Sequence, residues 1–309
     1  MFAFIATKLL RSAITMVVVV TAVFVVLRLT GDPIISLLPL DTPADILDQY
    51  RERWGLNDPI WLQYVRYWVA IFNGDLGRSI FSGQDAVKIV FERLPHTLLL
   101  GGVAFVISLV AGIGFGTLAA LNRGSMIDRG VMAFAVTAYS LPNYFLGILL
   151  ILLFALELRW MPAAGAETWK HLVMPAFTLG MSSAGVIARF VRSAMLEVIR
   201  QPYMRTAAAK GASVSRRIAW HALPNAAIPT VTVLGFQLGF LIGGSVVVES
   251  VFAWPGAGRL LVTSVGLRDF AVVQTMVFLV SATVIFANFM VDVAYGWLDP
   301  RVTVTGKQS

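Results

Sequence analysis

Three histidines, His96, His171 and His221, are the side chains best fitted to metal or acid–base chemistry, and they stand too far apart to form a ligand pattern. The chain of 309 residues has no cysteine, which excludes disulfides and thiolate metal sites. It has no G-x-x-x-x-G-K-S/T loop to cradle nucleotide phosphates, no H-E-x-x-H and no G-x-S-x-G elbow. No nucleophile–base pair is visible, so the chain reads as a non-enzyme without metal or cofactor. A small, basic and polar stretch, RTAAAKGASVSRRIAWHALPN from Arg205 to Asn225, has a long apolar run on each side. Tyr203 to Lys210 carries helix formers, and Ala207, Ala208 and Ala209 keep its surface small. Gly211 is placed to end that helix in a left-handed conformation. A second short basic stretch runs from Ser213 to His221, and Leu223 and Pro224 mark the start of the next apolar helix. Two readings fit. A small-residue helix can seat deeply in a groove of another protein because its backbone comes close. Equally, the stretch is a solvated loop that carries positive charge.

The elements that must hold this stretch are apolar. The chain is 58% hydrophobic and 13% charged, whereas a soluble domain carries about 25% charged residues. Windows free of Asp, Glu, Lys and Arg cover 12–27, 94–122, 130–156, 171–188, 218–248 and 270–291. A helix needs about 20 mostly apolar residues to cross a bilayer, so these windows predict six transmembrane helices. Leu9, Leu10 and a snorkelling Arg28 extend the first. A soluble bundle would interleave charges at helical spacing, and they are missing. No small-residue cleavage site follows the first apolar run, which reads as a retained helix rather than a signal peptide. With the N-terminus inside, the inner segments hold 13 Lys and Arg against 4 Asp and Glu, and the outer segments 11 against 13. Positive charge marks the cytoplasmic side, so both termini are expected there. The net charge of +7 is a topology signal and not a nucleic-acid footprint. Glu249 and Asp292 fall at window edges, from which they reach an interface. The absence of ionisable groups inside the windows argues against an ion-driven carrier.

Outside the membrane, residues 31–93 are too long for a turn and predict a small cap. DTPADILDQYRERWG places Thr42 as N-cap, Pro43 at the first helical position, Asp45 in the capping-box place and Gly55 as a stop. A second helix follows Asp58 and Pro59, with Trp61, Tyr64, Val65 and Trp68 on one face. That face suits a helix at the membrane surface; packing against the other outer helix is the alternative. Trp160 and Trp169 fit an interfacial belt. Gly235, Gly239 and Gly243 recur at one helical face, as do Gly180, Ala184 and Ala188, and small residues at that interval let helices approach closely. After the fifth window, Glu249, Trp254, Pro255 and Gly256 begin an irregular apolar segment, with a short helix from Arg259 to Leu267. Irregular backbone at membrane depth needs protein or a water-filled cavity around it. The segment is a candidate outer gate, or a loop tucked onto the bundle.

The Arg205–Asn225 stretch resembles the "EAA" loop of membrane permeases in ATP-binding-cassette importers, E-A-A-x-x-x-G, nine residues, then I-x-L-P. Aligned on Gly211, Leu223 and Pro224 fall at the family distance and Ala207 matches the second alanine. Arg205 stands in the glutamate place, Thr206 at the first alanine and His221 at the isoleucine. RTAAAKG is similar to the form seen in permeases for dipeptides, oligopeptides, glutathione and nickel. LRLTGDPI at 27–34, YSLPNYFLGILLILLF at 139–154, HLVMPAFTLG at 171–180, GGSVVVESVFAWPGAGRLL at 243–261, RDFAVVQ at 268–274 and DVAYGWLDPR at 292–301 extend the resemblance over nearly the whole chain. The resemblance implies an all-α polytopic membrane protein with the type I importer fold, one permease domain over 1–309, with 196–224 as its cytoplasmic coupling loop. It implies residence in the bacterial inner membrane, a homologous second permease, cytoplasmic ATPases and an extracytoplasmic solute-binding protein. Arg205, Thr206, Ala207, Lys210, Gly211, Leu223 and Pro224 then belong to the joint that docks on the ATPase. The resemblance favours a small peptide, including one like glutathione, as substrate. Nickel or a metal chelate is the runner-up, and an ion-coupled carrier or a receptor without transport are the other classes.

The charge asymmetry generates a direct test of topology. In this cysteine-free chain, single cysteines at Ser82, Ser125, Ser213 and Gln308 are exposed in whole cells to an impermeant thiol reagent that has passed the outer envelope. Only the cysteine at position 82 is expected to react; reaction at 213 with 82 protected would invert the topology.

Overall fold

In a computed structural model of the chain, the backbone is described for residues 2–39 and 41–298. Side chains are described for 7–39, 41–227, 230, 234, 237 and 244–285. The element order is α1 (Phe2–Leu29), α2 (Ile34–Leu37), α3 (Ala44–Arg53), α4 (Ile60–Phe72), α5 (Ala86–Leu121), α6 (Met126–Ser140) and α7 (Asn143–Leu150). Then follow α8 (Lys170–Ile199), α9 (Pro202–Ala209), α10 (Val214–Arg217), α11 (Leu223–Val251), α12 (Ala257–Leu267) and α13 (Phe270–Leu298). Two stretches widen to π-helical turns, Ile151–Glu157 after α7 and Ile218–Ala222 between α10 and α11. Among the described residues the extended structure is an isolated antiparallel bridge between Arg78 and Asp85. The all-helical expectation holds.

Among the described residues, the spans Thr7–Leu29, Ala86–Leu121 and Lys170–Ile199 are long and apolar enough to cross a membrane. Helices α11 and α13 have 29 residues each, about 43 Å at 1.5 Å per residue, which exceeds a hydrocarbon core of about 30 Å. The third window differs from the expected continuous helix. Met126–Ser140 and Asn143–Glu157 pass the same test only as a pair bent by 102°. Pro142 is the physical reason: it gives no N–H to the preceding turn, and its ring pushes Leu141 to an extended ψ of 125°. Pro95 and Pro175, by contrast, stay inside α5 and α8.

The contacts divide the chain into two compact units, 1–92 with 261–309, and 93–260. In the first, α1 packs along α13, with Leu27, Phe270 and Val273 buried and Val23, Leu261 and Val277 around them. Arg28 is not the free snorkelling end expected of it. Its guanidinium lies 4.6 Å from the Phe24 ring centroid and 4.8 Å from that of Phe270, and its Nε donates to Gln63 Oε1 at 2.8 Å. The cap helices form near their expected places. Thr42 does not cap α3, however: its hydroxyl donates back to the Pro39 carbonyl (2.6 Å), and the helix begins at Ala44 after Pro43. Gly55 ends the turn beyond α3 with φ +63°. The aromatic face of α4 is divided between the two expected roles. Tyr64 packs edge-on against Phe24 and Trp68, while Trp61 and Val65 stay exposed. Asp269, in the turn before α13, accepts the Ser79 hydroxyl and so ties the 73–85 loop to that helix. Burial pushes its carboxyl up from the ordinary aspartate range, against the opposing hydrogen bond from Ser79.

In the second unit α8 is the central helix, buried along most of its length. Its small stripe does what the spacing predicts. A Cβ on Gly180 would lie 2.7 Å from the Ala104 carbonyl, and one on Gly116 would lie 2.6 Å from the Ala188 carbonyl, so α5 and α8 meet backbone to backbone. Gly185 meets α6 in the same way, at the Ala135 carbonyl.

Candidate functional site

The basic stretch folds as α9, a turn, and a helical run that does not stop. Pro202 starts α9 and Gln201 precedes it in extended conformation. At the far end the Gly211 N–H bonds the Ala208 carbonyl (3.0 Å) and the Ala212 N–H bonds the Ala207 carbonyl (3.1 Å), with Gly211 at φ +80°. This is the glycine-terminated helix end that satisfies two orphan carbonyls, and only a residue at ease with positive φ closes it cheaply. Met204 is the buried anchor of α9, in a cluster with Ile187, Val191, Met195, Ala222 and Ala226. Arg205, Thr206, Lys210 and Gly211 face outward, and Ala207 is half-buried. Tyr203, Val214 and Trp220 add exposed apolar surface on the same stretch.

Ser213 caps α10 by accepting the Arg216 N–H. The basic stretch from Ser213 to His221 is helical, and the chain passes from α10 through the π turn into α11 with every joining residue in helical conformation. Leu223 and Pro224 open α11, as expected, but no break separates them from the π turn before them. The π turn answers Pro224. A proline has no N–H for the carbonyl four residues back and its ring crowds that carbonyl, and a widened turn makes room. Asn225 Nδ2 donates to the His221 carbonyl (2.7 Å) beside the widened turn.

At the opposite end of α11 the Glu249, Trp254, Pro255 and Gly256 segment closes into a fixed knot. Glu249 has 0% exposure and does not reach an aqueous interface, contrary to expectation. Thr97 Oγ1, on α5, donates to Glu249 Oε1 (2.7 Å) and accepts the Ala257 N–H (2.8 Å). Glu249 Oε2 accepts the Arg259 N–H at 2.9 Å. The carboxylate therefore sits over the first turn of α12, where free N–H groups and the helix dipole favour it. Trp254 is buried with its Nε1 donating to the His96 carbonyl (3.0 Å), and Arg259 Nη1 donates to the Ala253 carbonyl (2.6 Å). Gly256 and Gly258 are required for space: a Cβ on either would meet the Glu249 carboxylate. α12 begins at Ala257, two residues before the expected start at Arg259.

Two features escaped sequence reasoning. One is Thr97, which looks like any hydroxyl in an apolar helix until its partners are known. The other is the pair of Asp128 and Arg192, with two bonds of 2.5 and 2.7 Å joining the first turn of α6 to α8. Its signal was present: Ser125 followed three residues on by Asp128 is a helix start, and Ser125 does cap α6. Gly235, Gly239 and Gly243 lie on α11, but their surroundings fall outside the described residues, as do those of Asp292.

Known proteins resemble the chain over its length. The sequence profile of the family described as "Binding-protein-dependent transport system inner membrane component" matches residues 112–304. The companion N-terminal profile of binding-protein-dependent transport membrane components matches 1–101. The chain is 39% identical over 303 residues to the glutathione transport system permease protein GsiC of Salmonella paratyphi A, covering 98% of this chain and 99% of that one. The GsiC of Escherichia coli strain K12 gives the same identity and coverage. A probable peptide ABC transporter permease protein, y4tP, of Sinorhizobium fredii is 36% identical over 308 residues, covering 97% of this chain and 98% of that one. Among solved structures, the inward-facing MetNI methionine ABC transporter aligns with TM-score 0.49 at 22% identity, over 64% of this chain and 95% of that one.

The knot yields a local test. Thr97→Val keeps the shape but leaves the Ala257 N–H and one Glu249 oxygen without their shared partner, a cost of about 1–3 kcal/mol. Hydrogen exchange at the amides of Ala257 to Leu260 is expected to quicken on the order of ten-fold, with Thr97→Ser close to the parent. Unchanged exchange in Thr97→Val would mean that Thr97 does not hold the start of α12.

Proposed function

We propose that this chain, which belongs to the family of binding-protein-dependent transport system inner membrane components, imports a small peptide of the dipeptide, oligopeptide or glutathione-like kind. It is a membrane permease subunit of a binding-protein-dependent importer, a transport subunit rather than an enzyme. Such a permease works with ATPase subunits and a solute-binding protein. The observation that carries the peptide reading is the end-to-end match to relatives named as glutathione and peptide permeases. The test is mass spectrometry of the cargo that co-purifies with the cognate solute-binding protein. A peptide mass is expected; a nickel chelate in its place would move the chain to the metal branch of the same family.

The finer roles form one mechanical reading. Both termini are cytoplasmic, and the chain is one permease domain that forms half of the path with a homologous second permease. The Arg205–Gly211 helix enters a groove of the ATPase. Three features support this: outward Arg205, Thr206 and Lys210, the small surface made by Ala207 to Ala209, and the rigid glycine closure. Ala207, Leu223 and Pro224 carry the load into α11, because the helical run between α10 and α11 has no joint at which to yield. Glu249, Trp254, Pro255 and Gly256 are the frame of the outer gate, bonded to α5 and moving with the far end of α11. Gly235, Gly239 and Gly243 are the close-packing face of that helix.

Gly211 tests the joint. At φ +80° any side chain costs roughly 1 kcal/mol or more, and nothing lies within 4 Å of the position, so the change does not disturb the permease interior. Gly211→Leu is expected to insert normally but to lose co-purifying ATPase or to uncouple substrate-stimulated hydrolysis in vesicles. Arg216→Ala, beyond the turn, is expected to do much less. Full assembly and stimulation in Gly211→Leu would leave the stretch as a solvated loop.

A further inference from the structure

The break between α6 and α7 does no work in anything described so far. Its place is informative. Ser140 lies ten residues beyond Gly130, the first residue of its charge-free window. That is about 15 Å along the helix, half of a hydrocarbon core of about 30 Å. There, where a lipid-facing helix would show only apolar side chains, Tyr139 is 60% and Tyr144 52% exposed, Thr137 and Ser140 are exposed, and Asn143 is half-exposed. Among the described residues these hydroxyls and the amide have no hydrogen-bond partner. The backbone is open as well. Pro142 offers no N–H to the Ala138 carbonyl, the carbonyls of Tyr139 and Ser140 end α6, and the N–H groups of Asn143 and Tyr144 begin α7. Lipid satisfies none of these groups, and non-helical backbone at this depth persists only inside protein or beside water.

The break is also held from both sides. The Asp128–Arg192 pair and the contact of Gly185 with Ala135 fix α6 to α8. Gly147 seats α7 on Val251 and Phe252, beside the outer knot, and a Cβ there would lie 3.0 Å from the Phe252 ring. A bend of 102° pinned at both arms is a built feature rather than a slack one. Beside the exposed apolar Val136 and Phe145, the polar groups that it presents are all neutral.

We propose that this break lines the translocation path, and that Tyr139, Ser140, Asn143 and Tyr144, with the freed backbone groups, hydrogen-bond the amide backbone of the passing peptide. The proposal rests on the peptide reading for its ligand, and on geometry alone for the path. Neutral donors and acceptors fit a peptide bond, which every substrate of this class carries, and leave the side chains unread. Broken helices that present polar groups at mid-membrane are a general way to pass a polar solute.

The test uses the complete complex, with its ATPases and solute-binding protein, in proteoliposomes. Ser140→Cys and Asn143→Cys are compared with Leu149→Cys, an exposed apolar position on α7. The reagent is the water-soluble 2-sulfonatoethyl methanethiosulfonate, and the ligands are alanyl-alanine and S-methylglutathione, which carry no thiol. The cysteines at 140 and 143 are expected to react at least ten-fold faster than that at 149 in one nucleotide state or more. The imported peptide is expected to slow them at least five-fold, and modification to abolish uptake. Equal rates at all three positions in every nucleotide state would overturn the path and place the break against lipid or another subunit. Fast reaction that no imported peptide slows would overturn the contact with substrate and leave the peptide reading standing. If the unmodified complex imports neither peptide, the peptide reading fails and recognition of the peptide backbone falls with it; the labelling contrast then decides the path by itself.

Discussion

A carboxylate with no exposure at the end of an apolar helix has to bring its own solvation, and one end of the second unit is arranged around that demand. Glu249 obtains it from the Thr97 hydroxyl and from the first amides of α12. The desolvation of a carboxylate is repaid only when its oxygens are met by donors in good geometry. The neighbouring sequence follows from this. Gly256 and Gly258 have no side chain because a Cβ would occupy the carboxylate's place. Thr97 has a hydroxyl because it must donate to one partner and accept from another. Phe252 and Trp254 close the surroundings against water, with Leu100, Ala104 and Leu179 behind them. One buried group thus fixes α5, α11 and the start of α12 together.

The same accounting of backbone and buried polar groups explains why three prolines in apolar helices behave differently from Pro142. Pro95 and Pro175 interrupt a ladder that continues around them. Pro224 is met by a widened turn immediately before it. At Pro142 nothing comparable compensates, and the chain turns through 102°. Helix breakers in a membrane are decided by whether a neighbour can take the released groups, which depends on packing and not on the proline itself.

That dependence marks the limit of what the sequence made legible. The long apolar helices could be found from charge-free windows, because the bilayer punishes charge without regard to tertiary detail. The closure at Gly211 could be read because one backbone conformation selects one residue type. The stripe of Gly180, Ala184 and Ala188 could be read because close approach selects small residues. The partner of Glu249 could not, since Thr97 lies 152 residues away and no local pattern joins them. Arg28 misled for the same reason. Its terminal position in an apolar run suggests a residue reaching for water, whereas Phe24, Phe270 and Gln63 converge on it from three helices. Sequence showed which positions are constrained by the solvent, and the fold showed which are constrained by one another.

The π turn at Ile218–Ala222 has a consequence for descent. A π turn holds one residue more than the α turn it replaces, and one residue is about 100° of rotation about the helix axis. The face that α9 and α10 present is therefore set in phase against α11 by a single extra residue. A lineage that lost that residue would keep every side chain of the basic stretch and every side chain of α11, yet aim the two in different directions. Over evolutionary time this segment should accept substitution far more readily than any change in length.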